Sequence, residues 1–335
     1  MTIRIGVNGF GRIGRTVFRA IEKDPLFADL SIVAINDPAP TKTLLHLLKY
    51  DSVHGRLDGE LSLEEDEITY KGRKIPVLSE SDPASIPWNQ YEVEYVIEAT
   101  GHFSRRDLAE GHLKGGAKRV VITAPAKGEV KTFVMGVNED EYDPQIHHIV
   151  SNASCTTNCL APVVRVIMDR YGIERGLMTT IHAYTGDQRL VDSPHSDLRR
   201  ARAAGLSMIP TRTGAAAAIG LVIPELQGRF DGLAVRVPTA DVSLVDVVME
   251  VERDCTVSEI NQLLKESANR YLGYCEEPLV SMDFQGDPRS SIVDSDSTRV
   301  AGGRTVKVMA WYDNEWGYAF RVLDLIRHMA ASEPM

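Results

Sequence analysis

Six residues near the start of the chain limit its fold more than any other feature. Gly9-Phe10-Gly11-Arg12-Ile13-Gly14 is a G-x-G-x-x-G motif, with an apolar run at 3–7 before it and a helical pattern at 12–22 after it. The first glycine permits a tight turn, the second lets backbone approach a pyrophosphate, and the third lets helix pack closely on strand. The helix start adds N–H groups and a partial positive charge for the phosphates. A bare hexapeptide also fits an ordinary Gly-rich turn, so the strand before it and the helix after it carry the argument. Asp37 adds to it by closing a second apolar run about twenty residues further on. A carboxylate there can accept hydrogen bonds from the ribose hydroxyls of a dinucleotide and would repel a 2′-phosphate, which favours NAD over NADP. The plainer role for Asp37 is to cap the turn that follows.

The rest of the first half suits a dinucleotide fold. Short apolar runs at 30–35, 95–97, 120–122 and 133–137 read as buried strands, with helical patterns at 12–22 and 41–49 between them. This βαβ rhythm predicts a doubly wound parallel sheet. The stretch 68–77 reads as a hairpin. After about residue 150 the texture changes to a helix at 155–170, strands at 177–182, 233–237, 243–251 and 305–311, and a helix at 257–269. We therefore expect an α/β fold: a Rossmann-type doubly wound parallel sheet plus an α+β domain with a mostly antiparallel sheet. A length of 335 residues suits two domains. The last segment, 317–331, keeps one apolar helical face through Phe320, Leu323, Ile326 and Met329.

Composition removes several classes of function. A formal charge of −10 argues against nucleic acid as a partner, whose binders are usually basic. No run approaches the ~20 apolar residues of a membrane span. The most apolar stretch, 214–223, is broken by Gly220 and ended by Pro224. The N-terminus carries no charged-then-apolar leader, and four cysteines do not make a disulfide framework. A reducing cytoplasm is the expected compartment.

The chemistry concentrates in Ser151-Asn152-Ala153-Ser154-Cys155-Thr156-Thr157-Asn158-Cys159, just before an amphipathic helix. Ser and Thr at 154, 156 and 157 are natural N-cap residues. Cys155 then falls in the first helical turn, where the macrodipole favours the nucleophilic thiolate. Cys155 and Cys159, four apart, also fit a redox or metal pair, but no second Cys pair or nearby His completes a zinc site, and no metal is expected. Cys159, beside Leu160, reads as a small buried residue. Among nine histidines, His182 has the best claim as the base, because it ends the strand 177–182. A lone histidine is nonetheless more often structural. Arg236, in the apolar run 233–237, would be costly to bury unpaired, so it reads as functional or ion-paired. Arg199 and Arg202 read as solvated charges.

Together, Asn8 to Arg15, Ser151 to Pro162, His182-Ala183-Tyr184-Thr185 and Trp311-Tyr312-Asp313-Asn314-Glu315-Trp316-Gly317-Tyr318 resemble the phosphorylating glyceraldehyde-3-phosphate dehydrogenase family, and the likeness runs end to end. The resemblance implies oxidation of glyceraldehyde 3-phosphate to 1,3-bisphosphoglycerate, with hydride transfer to NAD and inorganic phosphate as second substrate. Cys155 matches the nucleophile and His182 the base. Thr185, Arg200 and Arg236 match a site for the substrate phosphate; Ser154, Thr156, Thr213 and Gly214 match one for the attacking phosphate. Gly9, Gly11, Arg12, Ile13, Gly14, Asp37, Thr123, Asn314 and Tyr318 match cofactor positions, Arg12 and Ile13 through backbone donors and Asn314 through its amide on the nicotinamide carboxamide. The resemblance also implies a homotetramer, an NAD-binding domain at 1–153 completed by a helix at 317–335, and a catalytic domain at 154–316.

Some positions depart from the family pattern. Ala217 stands where a Lys is usual, and Arg212 replaces a small or hydroxyl residue. Ser193 and Pro38 each replace a common Leu flanking the adenosine ribose, which leaves NADP use open. Two rivals share parts of the pattern: erythrose-4-phosphate dehydrogenase, and a dinucleotide-binding redox sensor without catalysis. Ala183-Tyr184-Thr185 and Thr213-Gly214 favour the glyceraldehyde enzyme over the first. The joint presence of Cys155, His182 and the phosphate-binding set argues against the second.

Overall fold

The structure, a computed structural model, describes residues 2–333. Residue 1 and residues 334–335 of the expected domain ranges lie outside the described residues. The chain divides into two compact bodies, the first covering residues 2–133, 139–153 and 319–333 and the second 134–138 and 154–318.

The first body is built on a nine-stranded sheet in the order Lys131–Thr132, Ile149–Ser151, Arg119–Ile122, Tyr95–Glu98, Ile3–Asn8, Leu30–Asn36, Arg73–Leu78, Glu67–Tyr70, Leu61–Glu64. The first seven strands run parallel, and the last two are added antiparallel, Glu67–Tyr70 on Arg73–Leu78 and Leu61–Glu64 on Glu67–Tyr70. Ile5, Val7, Val96, Ile97, Val120 and Val121 are fully buried, as the near-continuous apolar runs of a covered parallel sheet require. The helices Arg12–Lys23 and Thr41–Lys49 fall where the periodicity puts them.

One expected strand is absent. The run 133–137 is not extended: the strand ends at Thr132, and Val134 O accepts from the N–H groups of both Val137 and Asn138. The Asn138 side chain accepts from Val134 N at 2.9 Å and closes this turn. Phe133, Val134 and Met135 are apolar because the turn is buried, not because it is a strand. The segment 134–138, inside the range expected for the first domain, groups with the second body. Gly136, at φ +83°, lies against the Tyr271 ring, where a Cβ would come within 2.7 Å.

The second body carries a seven-stranded sheet in the order Ile209–Arg212, Phe230–Val237, Ile173–Ala183, Ser243–Val251, Thr305–Tyr312, Ser291–Ala301, Leu272–Cys275. It is antiparallel except where Ile173–Ala183 pairs Phe230–Val237 and where Leu272–Cys275 pairs Ser291–Ala301. The helix Cys155–Tyr171 lies across this sheet. It runs through Pro162, which removes one backbone donor from its interior. Register decides what meets at the end of the sheet: His182 pairs Arg236, and Ser243 pairs Tyr312.

Candidate active site

In the first body the Gly-rich turn has the geometry each glycine was expected to supply. Gly9 sits at φ +88° with the Ala99–Thr100 backbone so close that a Cβ would meet Thr100 N at 2.7 Å. A Cβ at Gly14 would meet Gly9 O at 2.3 Å. A Cβ at Gly11 would meet nothing within 4 Å, so the missing side chain leaves open room above the turn. Gly11 is the N-cap of Arg12–Lys23, and no side chain caps that helix. Room, a close backbone and an uncapped helix start suit a phosphate group. Asp37 is held rigidly beside them: Oδ2 accepts from Phe10 N at 2.8 Å and Oδ1 from Ala39 N at 2.9 Å. These residues fit a dinucleotide. Ile13 lies in the helix's first turn, and Arg12 pairs with Asp51 at 3.2 Å. Thr123, just past Arg119–Ile122, donates through N and Oγ1 to Glu98 O, each at 3.0 Å.

Sequence reasoning missed the polar knot that ties these strand ends together. Glu98 is 2% exposed and accepts from Asn8 Nδ2 at 2.6 Å, His112 Nε2 at 3.0 Å and Thr100 N at 2.9 Å, with the Thr100 hydroxyl also on it. Trp88 Nε1 donates to His112 Nδ1 at 3.1 Å, which fixes the proton on Nε2 and aims it at the carboxylate. Asn36 donates to Asn8 Oδ1 at 2.8 Å and extends the knot to a third strand.

In the second body Ser154 is the N-cap of Cys155–Tyr171, its Oγ accepting from Thr157 N at 3.0 Å. Cys155 is therefore the first helical residue, half-buried, with Sγ 3.5 Å from His182 Nε2. The His182 ring is oriented from its other side. Ala183 O lies 2.7 Å from Nδ1 and 3.0 Å from Arg236 Nη1. Arg236 Nη1 also lies 2.5 Å from Nδ1, but the carbonyl can only accept; with Nδ1–H donating to Ala183 O beside the guanidinium, Nε2 keeps its lone pair towards the thiol. Burial, and then the Arg236 guanidinium beside the ring, hold the His182 imidazole down at about 3. Burial pushes the Cys155 thiol up, while Arg236 and the Thr156 hydroxyl and N–H pull it back. At rest the pair is a neutral thiol facing a neutral imidazole that can take its proton.

Tyr312, another residue the sequence did not single out, lies under this pair. Its hydroxyl is 2.8 Å from both Thr156 Oγ1 and Thr180 Oγ1, and its ring meets His182 edge-on at 6.0 Å. Cys159 is fully buried beneath, with Sγ 3.5 Å from Ser291 Oγ, as a small core residue.

Anion-binding groups lie on the same body. Arg236 Nε is buried and has no hydrogen-bond partner among the described residues. Arg200 is held by Asp187, by Thr211 Oγ1 at 2.9 Å and by Arg212 O at 3.2 Å. Arg202, by contrast, pairs with Asp192 at the surface. Thr185 N donates to Gln188 Oε1 at 3.0 Å. Thr213 Oγ1 accepts from Ala215 N at 3.2 Å, and Gly214 is open on its Cβ side. Asn314 Oδ1 accepts from Ser243 Oγ at 2.7 Å. Tyr318 is buried in the first turn of Trp316–Ala331. Among the described residues no helix is long and apolar enough to cross a membrane.

Two family models match the chain: the glyceraldehyde 3-phosphate dehydrogenase NAD binding domain over residues 3–106, and the C-terminal domain over residues 154–314. The chain is 54% identical to glyceraldehyde-3-phosphate dehydrogenase of Geobacillus stearothermophilus over 335 residues, covering 99% of each chain. It is 53% identical to glyceraldehyde-3-phosphate dehydrogenase 2 of Bacillus subtilis, covering 99% of this chain and 98% of the relative. It is 54% identical to the Streptomyces coelicolor glyceraldehyde-3-phosphate dehydrogenase, covering 97% and 98%.

Proposed function

Because the chain belongs to the glyceraldehyde-3-phosphate dehydrogenase family, we propose that it oxidises glyceraldehyde 3-phosphate and captures the acyl group on inorganic phosphate as 1,3-bisphosphoglycerate, with NAD as cofactor. The observation that carries this reading is Cys155 Sγ at a helix N-terminus, 3.5 Å from His182 Nε2.

The thiol proton moves to His182 Nε2 as Sγ bonds to the aldehyde carbon, and His182 passes that proton to the carbonyl oxygen, which becomes the hydroxyl of a hemithioacetal. His182 then removes that hydroxyl proton, and the C–O double bond re-forms as a thioester on Cys155. When bound, NAD supplies the acceptor for the hydride that leaves the same carbon. Phosphate oxygen attacks the thioester, the C–S bond breaks, and Sγ departs as thiolate to regain its proton from His182. Across the two half-reactions the sulfur serves once as nucleophile and once as leaving group, while the imidazole takes up and returns a proton at each stage.

Thr185, Arg200 and Arg236 take the substrate phosphate in this reading. The unpartnered Arg236 Nε supports it, because a buried guanidinium N–H without an acceptor is costly until an anion supplies one. Ser154, Thr156, Thr213 and Gly214 take the attacking phosphate. Gly9, Gly11, Gly14, Arg12, Ile13, Asp37 and Thr123 hold the dinucleotide, and Asn314 and Tyr318 meet its nicotinamide. The carboxylate of Asp37 supports NAD over NADP. We assign residues 1–153 with the C-terminal helix to cofactor binding and 154–316 to catalysis.

A homotetramer completes the proposal. Leu190, Val191, Leu198, Leu206 and Met208 are strongly exposed, Leu206 at 87%, and apolar surface of this extent marks a protein interface. Four free cysteines support a reducing, cytoplasmic location. The deciding experiment is NAD reduction with glyceraldehyde 3-phosphate, with and without phosphate, followed by quenching to locate the acyl group. Phosphate-dependent turnover with the acyl label on Cys155 is expected. A label elsewhere, or faster turnover of erythrose 4-phosphate, would overturn the assignment, and sedimentation tests the tetramer.

A further inference from the structure

We propose that Ser243 is a positioning residue that fixes the Asn314 amide so that it offers only N–H donors to the cofactor. The inference deepens the reading above, resting on Asn314 as the residue that meets the nicotinamide carboxamide.

Donor direction sets the orientation of this amide. Ser243 is 1% exposed and opens the strand Ser243–Val251. The Ala183 backbone N–H, which can only donate, reaches Ser243 Oγ at 3.1 Å. The hydroxyl's single proton is then free for its other neighbour, the Asn314 amide at 2.7 Å. A hydroxyl that donates must face an oxygen, so the amide atom on that side is Oδ1 and its NH2 points the other way. Asn314 Nδ2 has no partner among the described residues, although the residue is only 6% exposed.

Backbone strain marks the same spot. Val242, directly before Ser243, sits at φ +64°, a conformation a β-branched residue adopts only when its surroundings enforce it. Ala183 follows the base His182, so one hydroxyl anchors both the strand end that carries the base and the amide that orients the cofactor.

A nicotinamide carboxamide presents one carbonyl acceptor and one NH2 donor. With Oδ1 committed to Ser243, Asn314 can meet only the carbonyl. The 3-acetylpyridine analogue of NAD keeps that carbonyl and replaces the NH2 by a methyl group, so it retains the contact. Without the serine hydroxyl the amide is free to rotate. Its oxygen could then accept from the carboxamide of NAD but would find no donor on the analogue.

The test is calorimetric binding of NAD and of the acetylpyridine analogue to the full chain, with no aldehyde present. The unaltered protein is expected to bind the two with dissociation constants within about threefold of each other. Ser243→Ala should weaken the analogue by roughly tenfold, the worth of one buried hydrogen bond, and NAD by clearly less. Ser243→Thr, which keeps the hydroxyl, should restore the original ratio. A purely structural serine would weaken both ligands together, and that result overturns the proposal, as does a ratio unchanged in Ser243→Ala. If Ser243→Ala fails to fold, the unaltered protein decides: acceptance of the analogue supports the proposal, and rejection by tenfold or more overturns it. Binding in the expected ratio with no turnover of glyceraldehyde 3-phosphate would count against the proposed reaction alone. Binding of neither cofactor would overturn both.

Discussion

Replacing Arg236 by Gln removes a charge beside the candidate base and keeps a hydrogen-bond donor for Ala183 O. His182 titrates at about 3 instead of 6.5, first because it is buried and second because the guanidinium stands next to its Nδ1. Unit charges about 5 Å apart interact by roughly 3 kcal/mol at an effective dielectric of about 20. Arg236 is half-buried, so solvent screens this to about half. At about 1.4 kcal/mol per pH unit, the loss of the charge raises the midpoint by about one unit, to roughly 4. The assay is the C2–H resonance of His182 across pH 4–8, assigned by its absence in His182→Asn. At pH 4.5 roughly a quarter of the variant's rings should be charged, against a few per cent in the unaltered protein. A variant resonance as flat as the original would refute the electrostatic role of Arg236. An unaltered ring half-charged near pH 6 would refute the role of burial. The sign carries over to stability. Between pH 6.5 and about 3 the unfolded chain binds a proton that the folded His182 does not, so stability falls as pH falls through that window. Arg236→Gln narrows the window and should flatten the acid limb of an unfolding curve. It also removes a cation that lowers the Cys155 thiol, so alkylation of Cys155 at neutral pH should slow.

Three further outcomes test other parts of the structure. Cys155→Ser should abolish NAD reduction while leaving the NAD dissociation constant within about twofold, because the thiol acts in bond making and not in cofactor binding; retained turnover in a steady-state assay would exclude covalent catalysis by this residue. Asp37→Gly should raise NADP use relative to NAD by about tenfold or more in kcat/KM, since it removes a carboxylate that repels a 2′-phosphate; no shift would mean that the ribose is read elsewhere. Glu98→Ala should cost at least about 3 kcal/mol in urea unfolding, because it orphans buried donors on Asn8, Thr100 and His112 together; a loss under about 1 kcal/mol would mean that water replaces the carboxylate.

What the sequence made legible was local, and what it hid depends on register. The Gly-rich turn could be read because strand, turn and helix are contiguous, and Gly9 and Gly14 answer contacts within a few residues or with the adjacent strand end while Gly11 leaves open room. Cys155 could be read because Ser154 caps the helix that Cys155 opens. His182 was a weaker inference from the residues alone, since nothing near it in the chain explains why it is a base. The guanidinium beside it lies 54 residues away and meets it only because Ile173–Ala183 and Phe230–Val237 pair in parallel with His182 opposite Arg236. A register shift of one residue would turn Arg236 to the other face of the sheet and leave the imidazole without its neighbour. Ser243 and Tyr312 were hidden for the same reason: one looked like the polar start of a strand and the other like a core aromatic, and their partners, Ala183 and Asn314 for the first and Thr156 and Thr180 for the second, are distant in sequence or brought in by strand register. The strand Ser291–Ala301 was missed because Asp294, Ser295, Asp296 and Ser297 interrupt its apolar pattern, and the pairing shifts register between Asp294 and Arg299. Single substitutions at the sheet end should therefore move several site properties at once. The double variant Arg236→Gln with Ser243→Ala, whose residues share Ala183 as a partner through its carbonyl and its N–H, should depart from additivity in cofactor binding, whereas Asp37→Gly with Arg236→Gln should not.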